Sequence, residues 1–123
     1  MRFSTMVLIG VMWAGATMVA QGQVTTVRGE LVTVMCFVNN GDQGRGADHA
    51  ACAQKCATEG YPLAIVTDKG EMYKIVGKLT ADNNAALRAL LAKKVVAEGV
   101  IAEEGAGKTL DASSVLPADA SQR

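Results

Sequence analysis

The sequence predicts a mainly β fold, a small five-stranded β-barrel, and three observations predict it. Short stretches rich in β-branched residues recur between Gly, Asn and Pro turn signals. The elements fall in the order strand, helix, hairpin, helix, strand, strand. The length left after a leader is set aside is on the order of 100 residues, enough for one modest core.

The leader is "MRFSTMVLIGVMWAGATMVAQGQ". Arg2 supplies a positive start, Met6 to Ala20 is an almost unbroken apolar run, and Ala20-Gln21-Gly22 forms a cleavage box of small residues. The run is short for a membrane span, which needs roughly 20 apolar residues. Residues 1–22 are therefore expected to be a signal peptide, residues 23–116 the folded domain and residues 117–123 a disordered tail. No cysteine lies near the cleavage box, which argues against a lipid anchor. The expected location is periplasmic or secreted, with no membrane attachment after cleavage. Arg2 is the only charge lost, so 11 basic and 12 acidic side chains remain. That balance excludes a strong electrostatic attraction to nucleic acid or anionic lipid.

"VTTVRGELVTVMCFVNN" alternates around β-branched residues and predicts a long first strand with Cys36 near its end. "GDQGRG" follows as a flexible glycine-rich loop, and Asp48 is placed to cap a helix over His49 to Thr58, stopped by Gly60 and Pro62. "YPLAIVTDKGEMYKIVG" reads as two strands joined at Asp68-Lys69-Gly70. In "TADNNAALRALLAKK" the residues Ala86, Leu87, Leu90 and Leu91 share a helical face, predicting a second helix from about Asn83 to Ala92. "KKVVAEGVIAEE" and "KTLDASSVLP" supply the last two strands, with a bulge expected near Gly99 because the valines do not alternate cleanly.

This is the order of an OB-like barrel, with one helix between strands 3 and 4 and an inserted helix, bearing cysteine and histidine, between strands 1 and 2. The connection between the first two strands is one of those with which OB-folds bind ligands. The run from "GELVTVMCF" through "GRGADHAACAQKCATEGYPLAIVTDKGEMYKIVG" to "DNNAALRALLAKKVVAEGVIAE" resembles a group of small exported bacterial single-domain proteins of OB type. The resemblance covers nearly all of the chain after the leader. It implies fold and compartment, and carries no settled activity.

Chemistry concentrates in "ADHAACAQKC". On a helix His49, Cys52 and Cys56 are spaced i, i+3 and i+7 and project from one face. If that face packs on the end of the first strand, Cys36 joins them. Three thiolates and an imidazole make a tetrahedral zinc set, and soft sulfur ligands also select copper in its monovalent state. Cys36, His49, Cys52 and Cys56 are thus the candidate metal ligands, for a copper or zinc ion, and a metal donor or acceptor protein is the implied partner. Cys-x3-Cys with histidine also occurs in copper-handling proteins of other folds, a likeness of one motif only.

Two other readings stay open. Three cysteines cannot all pair within one chain, and an oxidising compartment favours bonding. A disulfide from Cys36 to Cys52 or Cys56 would staple the first strand to the helix and contribute about 3 kcal/mol, making the chain a structural or interaction module. Cys52–Cys56 is strained, because helical i, i+4 Cβ atoms stand about 5–6 Å apart against roughly 3.5–4.5 Å in a disulfide. A reactive thiol is the third reading: Cys52 lies in the helix's first turn, where the dipole and His49 would lower its pKa.

Other sites are thin. Phe37, Tyr61 and Tyr73 are the only aromatics after the leader, too few for a nucleic-acid platform. "GDQGRG" lacks a P-loop ending, and Asp42 and Asp48 are too few carboxylates for an EF-hand loop. With His49 as the sole histidine and no nucleophile elbow, no hydrolytic triad is legible, and Glu98, Glu103 and Glu104 read as solvated surface. Met35 and Met72 are soft donors that read as core. A binding protein is expected, rather than an enzyme.

Overall fold

The computed structural model describes residues 22–105 and 107–119. All of the expected leader except Gly22, and residues 120–123 of the expected tail, lie outside the described residues. Five strands, β1 (Val24–Thr33), β2 (Leu63–Val66), β3 (Met72–Val76), β4 (Lys94–Glu104) and β5 (Gly107–Pro117), form one mixed sheet that closes on itself in the order β1-β2-β3-β5-β4. Every pairing is antiparallel except β3 with β5. β1 serves two neighbours: Val24 to Glu30 pair with β4, and Glu30 to Thr33 pair with β2. At the point of transfer, Gly29 lies so close to the Val66 carbonyl that a Cβ would collide with it. The absent side chain lets the strand bend from one partner to the other.

The ring encloses the main core. Val27, Leu31, Leu63, Ile65, Ile75, Val95, Ala97, Leu110 and Ala112 face inward, and Ala53, Ala57, Leu87 and Leu91 pack with them from outside the strands. Leu31 and Val32, like all four residues of β2, are buried on both faces of the sheet. The outer face there carries a smaller cluster of Val32, Ala64 and Val66, with Val34, Phe37 and Met72 packed over it.

That outer cluster explains the first correction. β1 ends at Thr33, and the residues expected to extend it form a helix, α1 (Val34–Asn40), so Cys36 is helical. The Val34 amide donates to the Pro62 carbonyl at 3.0 Å, the last bond toward the neighbouring segment, just before β2 begins. Beyond it the backbone has no strand to pair with. Coiling satisfies its amides internally and folds Val34 and Phe37, one turn apart, onto the outer cluster. Gly41, at φ 57°, ends the helix.

The cysteine-bearing helix is α2 (Ala50–Thr58). It begins one residue later than expected: Ala47–His49 is a separate 3₁₀ turn, and His49 takes the capping position in place of Asp48. The second expected helix is also corrected. A 3₁₀ turn at Lys78–Thr80, a non-helical turn over Ala81–Asn84 and another 3₁₀ turn at Arg88–Leu90 replace it. Asp82, Asn83 and Asn84 all have left-handed backbones, with φ of 55°, 54° and 62°. Asn and Asp tolerate that region best among non-glycine residues, so the motif that resembles a helix cap is a left-handed turn. The β2–β3 hairpin and the bulge between Glu98 and Gly99 match expectation. Among the described residues no helix is long and apolar enough to cross a membrane.

Candidate metal centre

α2 presents two adjacent columns of side chains. Ala53 and Ala57, one turn apart, are 5 % and 0 % exposed and belong to the main core, where their small size lets the helix seat closely. Cys52 and Cys56 each precede one of these alanines, so they form the neighbouring column, which faces α1. There the Cys36 and Cys52 sulfurs stand 3.6 Å apart, and the Sγ atoms of Cys36, Cys52 and Cys56 all lie within 4.8 Å of one another. A disulfide bond measures about 2.05 Å. The three side chains are free thiols in contact.

Three features hold Cys36 in place. The Asn40 side-chain amide donates to the Cys36 carbonyl at 3.0 Å, closing the last turn of α1. Gly44 packs against the same carbonyl with no room for a Cβ. The Gly46 amide donates to Glu30 Oε2 at 2.8 Å, tying the loop back to β1. The loop expected to be slack is thus a built connection, in which Gly44 permits close approach and Gly46 takes a φ of 88°. Neither Asn40 nor Gly44 stands out in the sequence. The repeated glycines are the one visible signal, and they read equally well as flexibility.

The site is graded in exposure: Cys36 is buried, Cys56 half-buried and Cys52 exposed. Hydrogen bonding to Cys36 pushes the Cys52 thiol above its ordinary pKa, and the developing charge on Cys36 adds to the effect, while Lys55 opposes it. Burial pushes Cys56 up, with both neighbouring cysteines reinforcing it. The low-pKa Cys52 expected of a reactive thiol is the opposite of this direction. Crowding thiols around one point penalises a second negative charge, and a cation at that point would relieve the penalty.

His49 does not join the group of three sulfurs. It is half-buried and lies beside Leu31, Val32, Arg45 and Ala53. The reason is the break before α2. The regular i, i+3 relation to Cys52 requires continuous helix, and His49 has φ −101° and ψ 1° at the junction. Of the two soft methionines, Met72 packs on the outer cluster, and Met35 is 42 % exposed instead of buried. Glu98, Glu103 and Glu104 are exposed, as expected.

Comparison with known proteins finds no family model that matches the chain, and no curated protein or solved structure similar to it. The thiol geometry stands by itself.

Proposed function

We propose that this chain is an exported metal-binding protein of OB type that handles a copper or zinc ion. The observation that carries the proposal is the convergence of all three cysteine sulfurs within 4.8 Å. Three thiolates around one ion of zinc's size, with bonds of about 2.3 Å, stand roughly 3.8–4.0 Å apart. The 3.6 Å separation of Cys36 and Cys52 is close to that value. The ring order and the placement of both cysteine helices between β1 and β2 support the OB assignment and the connection expected to bind ligand. An ion there would also shield the thiols in an oxidising compartment. In this reading the protein holds an ion and exchanges it with a donor or acceptor protein, without catalysing a reaction.

Native mass spectrometry of the chain purified without chelator from its exported compartment tests this reading. The expected result is a mass excess of one copper or zinc that vanishes on unfolding and leaves three alkylatable thiols. The 3.6 Å contact also favours one rival, a Cys36–Cys52 disulfide closing a 16-residue separation. A metal-free mass short by two protons, with Cys56 alone alkylated, would establish that rival and remove the metal reading.

A further inference from the structure

Resting on the metal-handling reading and going beyond it, we infer that the site takes copper in its monovalent state, held by Cys36, Cys52 and Cys56 as a three-coordinate thiolate triangle, with Cys52 as the ligand exchanged with a partner's thiol. Among the described residues no histidine or carboxylate completes the group, so its thiol and imidazole or carboxylate donors are the three cysteine sulfurs alone. Structural zinc is almost always four-coordinate and takes its fourth ligand from protein. Soft thiolates alone suit monovalent copper, which accepts fewer ligands. The histidine that would make the set tetrahedral lies outside the group, beside Arg45 and Ala53.

The exposure gradient assigns the roles. Cys36 is locked from behind by Asn40 and Gly44, whereas Cys52 opens to solvent on the first turns of α2. An incoming thiolate therefore reaches the ion on the Cys52 side. Binding displaces one proton from each thiol that becomes a ligand. In transfer, the partner's sulfur bonds to copper as the bond to Cys52 breaks, and Cys52 then takes up a proton. Copper remains monovalent and no electron moves.

The test uses the reduced chain under nitrogen, with copper supplied as its monovalent acetonitrile complex and titrated against a chromogenic copper chelator, followed by X-ray absorption. One copper per chain with three sulfur neighbours and no nitrogen is expected, and zinc in excess should not displace it. His49→Ala should leave the affinity unchanged. Cys52→Ser should weaken binding by about tenfold or more, equivalent to roughly 1.4 kcal/mol, while circular dichroism stays that of the parent. A nitrogen neighbour, displacement by zinc, or a weaker His49→Ala variant would overturn the three-coordinate copper site and leave metal binding standing. Failure to retain either ion would overturn both. Unaltered affinity in Cys52→Ser would overturn the role given to that residue, and Cys56→Ser, half-buried, tests the same triangle from its other corner.

Discussion

At Gly44 a single methyl group would run into the carbonyl of Cys36. That contact passes from the loop to the helix and fixes where the innermost sulfur lies. Overpacking of this kind costs about 1–3 kcal/mol. Gly44→Ala should lower the urea midpoint accordingly and weaken metal binding together with stability. Gly41→Ala is the fitting comparison: a Cβ there meets nothing, and only the φ of 57° penalises it. Equal metal affinity in the two variants would show that Gly44 does not position Cys36. The sequence marks the three cysteines by their spacing, and their meeting was legible from it. The pattern i, i+3, i+7 places His49 with them but carries no sign of where a helix starts, and His49 lies outside the group of three sulfurs. A 3₁₀ turn of three residues is enough to redirect the imidazole.

Among the elements, α2 depends on a side chain from far along the chain. Asn84 is 3 % exposed, and its amide donates to the Ala57 carbonyl at 3.1 Å and the Tyr61 carbonyl at 3.0 Å. The Ala57 carbonyl, near the helix end, also accepts from the Gly60 amide at 3.1 Å, so Asn84 adds a second bond there and ties in the Tyr61 carbonyl just beyond. Asn84→Ala removes both bonds, leaving the Ala57 carbonyl with the Gly60 amide alone, and places alanine at a left-handed φ. A loss of about 1–3 kcal/mol is expected, read as a lower denaturation midpoint, and unchanged stability would mean that the turn is not what anchors α2. The same segment explains why the second helix was misread. Leu87, Leu90 and Leu91 do pack toward the core, but through successive tight turns, and Asp-Asn-Asn serves a left-handed bend as readily as a cap. α1 was illegible for a different reason: "VTVMCFV" suits either state, and what ends β1 is the start of β2 at Leu63, a fact about the partner strand. Where local signals suffice, as in the β2–β3 hairpin and the bulge at Gly99, expectation and structure agree.

Across the whole molecule, the crowded thiols make stability depend on pH. A thiol whose pKa is raised by folding keeps its proton to higher pH in the folded state than in the unfolded one. Its contribution is complete below the ordinary thiol value of about 8.5 and is lost as pH rises through the folded value. Cys52 and Cys56 both shift in that direction. The reduced, metal-free protein should therefore lose urea stability between pH 8 and 10, measured against the value at pH 7, by roughly the reasoning of linked titration. Tyr73, raised by its hydrogen bond to Glu71, and Lys108, raised by the same carboxylate, have the same sign but act only above about pH 10. Cys56→Ala should flatten the decline between pH 8 and 10, and an equally steep decline in that variant would place its origin elsewhere. The ring as a whole was legible as five strands, because each strand is bounded by its own turn. Its closure follows from the order of the elements and not from any local mark, since the pairing of Val24 with Val100 joins distant parts of the chain.

That distance has a consequence for the order in which the parts come together. Bringing Cys36 to Cys52 closes a separation of 16 residues. Sealing the ring joins Val24 to Val100, a span about five times as long, which costs about 1.4 kcal/mol more in chain entropy. Contacts that are near in sequence form sooner than those that are far. By that rule the three sulfurs are expected to come together before the ring is sealed between β1 and β4.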